Sequence, residues 1–187
     1  MKEFQIGGFR VAVLPGLPGM SSVRIYQFAR PGQSTHSEGA VVEVTGPNQS
    51  WIGNFQSGHF YNGLTDAISF RTQPSLCVFA KGCGYRLRLD SPQSYAVLDF
   101  FPVLGARYIS EHDRIVVWDF TRLAAYSADG CVWRTPRVSW DGISITEIHW
   151  DHLEGLAWDA INESEVKFEV NLTTGEHTGG PNNLPQS

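Results

Sequence analysis

Four consecutive residues near the C-terminal end of the chain, His149-Trp150-Asp151-His152, include three side chains of the types that bind metal ions. Imidazole nitrogens and carboxylate oxygens together suit divalent transition metals such as zinc. On one extended strand His149 and Asp151 would point to one face and His152 to the other, so a shared site requires a turn here. The sequence therefore offers a metal site at His149, Asp151 and His152. The alternative, which we favour, is a solvated loop, because no second metal-binding element completes the set.

Nucleophilic chemistry has little support in the sequence. There is no G-x-S-x-G elbow, and no helix is predicted after any serine to supply an oxyanion hole. Cys77 lies in an apolar run and Cys131 precedes another, so both are expected to pack in the interior. Cys83, between Gly82 and Gly84, is predicted to be the most exposed thiol but has no histidine near it in sequence, and the G-x-G is predicted to be a hairpin turn. We assign no catalytic residue and expect no cofactor, and an enzyme is less favoured than a binding protein.

The six tryptophans offer the other candidate site. Trp118 and Trp158 lie in apolar runs and are expected in the core. Four others adjoin turns and polar residues: Trp51, Trp133, Trp140 and Trp150. Exposed aromatic rings often anchor interfaces because they bury a large area with few rotatable bonds. A patch containing Trp140 and Trp150 is our predicted interaction surface, with burial as the alternative for each ring.

Composition limits the possible partners. The formal net charge of −5 argues against nucleic acid and favours a basic protein partner, because like charges repel and opposite charges steer association. A hydrophobic content of 42% and a charged content of 18% are typical of globular proteins. Three cysteines are an odd number without metal spacing, which predicts a reducing, cytoplasmic location. No apolar run approaches the ~20 residues that span a bilayer, so we expect no membrane partner.

The pattern of strands and turns is clearest between Arg114 and Gly142. Ile115–Phe120 and Leu123–Tyr126 are β-branched and apolar runs, and Asp129-Gly130 after the second run predicts a tight turn with positive φ. We interpret this stretch as a β-meander of three or four strands. Further strands are predicted at Phe9–Leu14, Val23–Phe28, Ala40–Thr45, Trp51–Phe55, Ala67–Arg71, Leu76–Ala80, Tyr85–Leu89, Val97–Leu104, Ile143–Thr146 and Val166–Leu172.

Two segments are predicted to be loops. Pro31 to Gly39 is polar and rich in turn-forming residues, and Gln56 to Asp66 combines Gly, His, Asn and Tyr without a clear period. Loops of the second kind often carry binding sites. No stretch of the sequence has the 3.6-residue period of a helix, although a short helix could form within Asn62 to Ile68.

A weak internal repeat runs through the C-terminal part. Phe79 in CVFA, Trp118 in VVWDF and Trp158 in LAWDA are 39 and 40 residues apart, and each is followed by a second strand and a turn. With its Trp-Asp dipeptides this repeat resembles the blades of WD40 or quinoprotein-type propellers over roughly the last 110 residues. A Gly-His element is missing, and the chain holds at most about four blades of that size. The resemblance implies a small or incomplete propeller-like platform for protein binding.

The sequence thus predicts an all-β chain of mostly antiparallel meanders, arranged as a sandwich or an irregular stack of sheets, which we favour over the propeller. We expect a single β domain over residues 1–178 and a flexible tail from Gly179 to Ser187. The chain as a whole resembles uncharacterised bacterial β-rich proteins, a resemblance that brings no activity with it.

The predicted function is non-enzymatic binding of another protein, in a cytosolic role like that of an immunity protein or antitoxin. The alternative is a small metal-dependent enzyme or ligand-binding β protein. Its site would lie near His149, Asp151 and His152 or in the loop from Gln56 to Asp66.

Overall fold

The computed structural model describes residues 2–33 and 39–184. Within these ranges the chain forms strands and turns without a helix, which confirms the predicted all-β fold. The strands form four sheets that are almost wholly antiparallel. The chain divides into two compact units, Met1–Val103 and Leu104–Ser187, within what the sequence predicts as one domain.

The first unit contains a five-stranded and a four-stranded sheet. Its strands are β1 (Glu3–Ile6), β2 (Phe9–Leu14), β3 (Arg24–Phe28), β4 (Gly39–Thr45), β5 (Ser50–Gln56), β6 (Asp66–Ser69), β7 (Ser75–Ala80), β8 (Cys83–Arg88) and β9 (Tyr95–Val97). The larger sheet has the order β1-β2-β4-β5-β3, in which only β3 and β5 run parallel. Strands β6 to β9 form the smaller sheet as a simple meander.

Aromatic side chains join these two sheets in a shared core. Trp51 on β5 and Tyr85 on β8 are both buried. The Trp51 indole donates to the Leu89 carbonyl over 3.1 Å, and the Tyr85 hydroxyl donates to the Gln56 carbonyl over 2.8 Å. Because the polar tip of each ring is hydrogen-bonded, its burial carries no desolvation penalty from an unpaired donor.

The second unit contains two four-stranded meanders. Its strands are β10 (Gly105–Ile109), β11 (Arg114–Trp118), β12 (Leu123–Tyr126), β13 (Cys131–Arg134), β14 (Ile143–Ile148), β15 (His152–Asp159), β16 (Ser164–Asn171) and β17 (His177–Gly179). Apolar residues from both meanders form one core cluster that includes Val116, Leu153 and Phe168. Buried Trp133 on β13 donates its indole N–H to the Leu172 carbonyl over 2.9 Å, which ties one meander to the other.

The repeat near 40 residues corresponds to the three four-stranded meanders. Phe79 lies on β7, Trp118 on β11 and Trp158 on β15, and each of these is the second strand of its sheet. Phe79 is fully buried, whereas the two tryptophans predicted for the core are only half-buried. The sequence period therefore marks a repeated supersecondary unit, and closure of such units into a propeller stays a prediction.

Several local predictions are wrong. The apolar run Val97–Leu104 is not a central strand, since β9 ends at Val97. The backbone of Leu98 bonds to Gly84, and that of Val103 bonds to Gly82, so the run is held by single loop hydrogen bonds instead of a ladder. The short helix left as an alternative for residues 62–68 does not form in the described structure, where β6 begins at Asp66, in agreement with the prediction of an all-β chain.

The turn at Asp129-Gly130 forms, but by another route than predicted. Gly130 does not adopt a positive φ. The hairpin is closed instead by a hydrogen bond of 2.8 Å from the Ser127 N–H to the Gly130 carbonyl, and the Ser127 hydroxyl accepts from the Asp129 N–H. A register shift at Ala125/Tyr126 accommodates this geometry. The serine side chain thus replaces the left-handed glycine that the sequence suggests.

Two predicted flexible or loop segments lie partly outside the described residues. The loop predicted from Pro31 to Gly39 includes residues 34–38, and the tail predicted from Gly179 to Ser187 includes residues 185–187. Of the described part of that tail, Gly179 pairs with Phe168 in β17, and the Gly180 N–H donates to the Lys167 carbonyl over 2.9 Å. None of the described residues belongs to a helix long and apolar enough to cross a membrane.

Candidate functional site

The His149–His152 segment forms the tight turn between β14 and β15. The His149 N–H donates to the His152 carbonyl over 2.8 Å, which closes the hairpin around Trp150 and Asp151. The structure therefore contains the turn that a shared site requires. The two imidazole rings stack with their centroids 4.3 Å apart and an angle of 20° between their planes.

Asp151 is hydrogen-bonded to the imidazole ring of His152. Its Oδ1 atom lies 2.7 Å from Nδ1 of His152. Because an ionised carboxylate only accepts hydrogen bonds, the histidine proton must lie on Nδ1, and Nε2 then carries a lone pair when the ring is neutral. This hydrogen bond is also the main reason that the pKa of Asp151 lies below its ordinary value and the pKa of His152 above it.

Glu154 completes a group of three potential ligands. Its Oε1 atom lies 3.5 Å from Nε2 of His149 and 3.5 Å from Nε2 of His152. The three side chains offer ligand atoms that all lie within 4.8 Å of one another. Glu154 is two residues beyond His152 on the same strand, so both side chains project from the same face of β15.

The Nε2 atom of His149 is shielded from water and forms no hydrogen bond within the described structure. Two carboxylates lie near it nevertheless, with Glu147 Oε2 at 3.3 Å and Glu154 Oε1 at 3.5 Å. A buried ring nitrogen without a partner is unfavourable, and native structures rarely leave one without a reason. An ion between these groups would give the nitrogen a partner.

A β-bulge brings Glu147 to this face. Ile145 pairs with Gly155, yet Glu147 pairs with Glu154, so Thr146 is the extra residue in β14. Without the bulge Thr146 would stand opposite Glu154, and Glu147 would point to the other face of the sheet. The bulge therefore places a second carboxylate beside the histidines.

Three glutamates form a row across the sheet as a result. Glu154 pairs with Glu147 on one side and with Glu169 of β16 on the other. Like charges directly opposite each other on neighbouring strands destabilise a sheet. Lys167, two residues from Glu169 on β16, shares this face and offsets part of the repulsion. The row nonetheless makes this part of the sheet attractive to a cation.

The arrangement can hold a divalent metal ion. Two imidazole nitrogens and one carboxylate would be its protein ligands, which leaves at least one position of a four-coordinate ion open to water or to another ligand. The structure brings His149 and His152 together as the sequence suggests. Asp151, predicted as a ligand, is instead hydrogen-bonded to Nδ1 of His152, and Glu154 is in the position of the third ligand. Sequence reasoning missed Glu154, although its spacing of two from His152 on a strand was a usable signal.

The two tryptophans of the predicted interaction surface differ in environment. Trp150 stands at the tip of the hairpin, is 72% exposed, and accepts a hydrogen bond of 2.9 Å at its carbonyl from Nε2 of His112. Trp140 is half-buried, its indole nitrogen is shielded from water, and its carbonyl accepts from Arg137. Of the other tryptophans next to turns, Trp51 and Trp133 are buried.

The cysteine predictions are corrected in two places. Cys83 is buried and Cys131 is exposed, the reverse of what the sequence suggests. The turn of the β7–β8 hairpin is made by Lys81 and Gly82, both with positive φ, so Cys83 already lies in β8 and points into the core. Burial raises the pKa of the Cys83 thiol, whereas Cys131 lies in the exposed half of β13.

Comparisons with models of known protein families, with curated proteins and with solved structures find no match to this chain.

Proposed function

We propose that the protein binds a divalent transition-metal ion, with zinc as the first choice, on the β14–β15 hairpin. The observation that carries the proposal is that two histidine nitrogens, Nε2 of His149 and Nε2 of His152, each lie 3.5 Å from the same oxygen of Glu154.

The spacing of these atoms suits ligands of a shared ion better than hydrogen-bond partners. An N–H···O hydrogen bond is normally about 2.7–3.2 Å long. Two ligand atoms held about 2.1 Å from a tetrahedral zinc ion are separated by about 3.4 Å. The two distances of 3.5 Å are close to that second value. Each histidine nitrogen is therefore at a distance from Glu154 that a shared ion requires, and all three ligand atoms lie within 4.8 Å of one another.

The surroundings support the same assignment. A metal-binding histidine normally donates its other ring N–H to a carboxylate, which fixes the ring and makes the bound nitrogen more basic, and Asp151 has this position behind His152. Glu147 and Glu169 add negative charge on the same face. Calcium and magnesium prefer sites built of oxygen atoms alone, so the two imidazoles favour zinc or a neighbouring transition metal.

The test is metal binding by the purified protein after removal of metal with a chelator. We expect isothermal titration with zinc to show one site per chain, and a weak or absent response to magnesium. Glu154→Gln keeps the size of the side chain and removes the charge of a ligand, and His149→Ala removes one imidazole. Both variants should lose most of the zinc affinity. His177→Gln, which removes a histidine on β17, is the matched control and should bind as the unaltered chain does.

A zinc response of the same strength in Glu154→Gln, His149→Ala and the unaltered chain would count against the proposal. So would the absence of any site of one-to-one stoichiometry. Circular dichroism of each variant without metal shows whether a loss of binding comes from the site or from unfolding.

A second candidate function is binding of another protein, and it is supported by the exposure of Trp150. A ring that is 72% exposed at the tip of a hairpin is a typical interface anchor. The acidity of the chain and the glutamate row favour a basic partner, as in an immunity or antitoxin-like role. Cytoplasmic location belongs to this proposal, because the exposed thiol of Cys131 suits a reducing compartment.

Co-purification at low salt tests this second function. A basic partner should be retained by the unaltered chain and lost by Trp150→Ser. Ile161→Ser removes a similarly exposed apolar side chain elsewhere in the second unit and is the control. Retention of the partner by the Trp150 variant would exclude this ring as the anchor.

A further inference from the structure

The first unit contains a polar cavity that the proposed metal site does not involve. Its volume is about 240 Å³, and it is lined by Gly39, Ala40, Ser57, His59, Thr65 and Lys81. Pockets for drug-sized ligands are usually about 300–1,000 Å³, so this cavity suits a small ion or one end of a larger ligand. Among the described residues its lining includes an ammonium group, an imidazole and two hydroxyls, and no carboxylate.

Two hydroxyl groups of the lining have their protons available. The Ser57 hydroxyl oxygen accepts from the His59 N–H over 3.0 Å, and the Thr65 hydroxyl oxygen accepts from the Lys81 N–H over 3.0 Å. In both contacts the hydroxyl acts as acceptor, and its own O–H donates to none of the residues that the structure describes. Each hydroxyl also fixes the backbone of one of the two basic residues.

The backbone around the cavity is held tightly. The Gly58 N–H donates to Ala80 and the Phe60 N–H donates to Lys81, so the loop lies along the end of β7. A Cβ atom on Gly63 would come within 2.4 Å of the backbone of Gly82. The loop therefore packs directly on the β7–β8 turn, and the basic side chains start from fixed positions.

His59 and Lys81 both have left-handed backbone conformations, with φ of 57° and 44°. Gly, Asn, Asp and His adopt this conformation more often than other residues, and the first central position of a tight hairpin turn, which Lys81 occupies, favours Gly, Asn or Asp. The chain instead places a lysine at this turn position, and Lys81 and His59 both line the same cavity. Strained positions of this kind occur often at ligand sites, where the side chain is needed for more than the turn.

Among residues 2–33 and 39–184, the charged side chains that line the cavity are basic. Asp66 follows Thr65 in the chain, but its carboxylate is paired with Lys2 over 2.6 Å. Among the ion pairs formed by described residues, none involves Lys81. The cavity thus combines two basic side chains with two hydroxyl donors and lacks an anionic partner in the described part of the chain.

We propose that this cavity binds a phosphate group, either as the free ion or at the end of a small metabolite. A phosphate carries about two negative charges near neutral pH and has three strong acceptor oxygens, which match donors on several sides of a cavity. The ammonium of Lys81 contributes the charge, and the hydroxyls of Ser57 and Thr65 orient the oxygens. The site lies in the first unit and is independent of the metal site.

Inorganic phosphate is the probe for this site. We expect saturable binding to the unaltered chain by isothermal titration, with changes in the amide signals of Ser57, Thr65 and Lys81 in NMR spectra. Lys81→Asn removes the charge, and asparagine is well suited to the left-handed turn position, so the fold is preserved. This variant should bind phosphate about tenfold more weakly or worse, as expected from loss of a charged hydrogen bond. Lys167→Gln removes a lysine of the second unit and should bind normally.

Three outcomes would overturn the proposal. One is the absence of phosphate binding by the unaltered chain at constant ionic strength. Another is equal binding by Lys81→Asn, which would place the anion elsewhere. The third is that acetate binds as well as phosphate, since this would remove the assignment to phosphate. A second variant, His59→Asn, also tolerates the left-handed position, and a weaker but measurable loss in it would support the site. Thermal unfolding without phosphate confirms that each variant is folded.

Discussion

Asp151 and His152, which are neighbours in the chain, are joined by a hydrogen bond of 2.7 Å between Oδ1 and Nδ1. The carboxylate fixes the proton on Nδ1, so Nε2, which lies 3.5 Å from Glu154, carries the lone pair when the ring is neutral. Removing the carboxylate while keeping its size should therefore weaken metal binding without removing a ligand.

We expect Asp151→Asn to lower zinc affinity by about 10–100-fold, which is the usual effect of losing the carboxylate behind a metal-binding histidine. Competition with a zinc-binding dye measures this change. Asp129→Asn, an exposed aspartate in another turn of the same unit, is the control and should leave the affinity unchanged. Equal affinities for the two variants would show that Asp151 has no part in the site.

Glu154→Gln should change stability in opposite directions with and without metal. Without metal the substitution relieves repulsion along the row of Glu147, Glu154 and Glu169, so the free energy of unfolding should rise by about 0.2–1 kcal/mol. With saturating zinc the unaltered chain should be the more stable one, because it alone keeps all three ligands. Urea unfolding with zinc and with a chelator measures both. The same sign in both conditions would contradict the metal assignment.

The imidazole of His177 should make the protein less stable in mild acid. Burial lowers the pKa of this side chain below the ordinary value of 6.5, so the unfolded chain takes up the proton more readily than the folded chain. The stability is therefore fully present above the ordinary pKa and is lost as the pH falls through the lower folded value. Urea unfolding at several pH values should show a weaker acid dependence in His177→Gln than in the unaltered chain.

Gly105→Ala should destabilise the second unit. A Cβ atom at this position would lie 2.1 Å from the indole ring of Trp118 on the neighbouring strand, so the ring must move. We expect a loss of about 1–3 kcal/mol, as for other overpacked interiors. Gly130→Ala is the control, because it has open space around it and no positive φ, and it should change stability by less than about 0.5 kcal/mol. Denaturant unfolding of both variants measures the difference.

The three cysteines should differ in reactivity. Burial raises the pKa of Cys77 to about 12 and also raises the pKa of Cys83, so neither forms a thiolate readily in the folded protein. Cys131 is exposed. A thiol reagent should therefore modify one cysteine quickly in the native state and three after denaturation, and Cys131→Ser should abolish the fast reaction. Rapid modification that persists in this variant would contradict the burial of the other two.

Much of the fold could be predicted because burial leaves a period of two in the sequence. In β8 the alternating residues Tyr85 and Leu87 are buried, while Arg86 and Arg88 are not, as the pattern indicates. The run Val97–Leu104 was wrongly predicted to be a strand because apolar residues are also buried in loops. In such loops the backbone groups form isolated hydrogen bonds and no ladder. Short strands such as β1 and β10 were missed because their pairing with longer neighbours, and not their own composition, defines them.

The candidate site could be predicted only in part. His149 and His152 are close in sequence and needed only a turn to meet. Glu147 lies beside Glu154 because of the bulge at Thr146, and Glu169 lies beside Glu154 because of the strand register. Local sequence patterns specify neither the bulge nor the register. The exposure of Cys131 and the burial of Cys83 likewise follow from where the turns fall.

The potential metal ligands all come from a single hairpin, between Glu147 and Glu154. A ligand set so local in sequence does not need the remaining strands to assemble, so part of it is present in the unfolded chain as well. Zinc would then also bind the denatured state to some extent, and its stabilising effect would be smaller than its affinity for the folded protein suggests. The same locality would let a nascent chain capture the ion as soon as this hairpin leaves the ribosome.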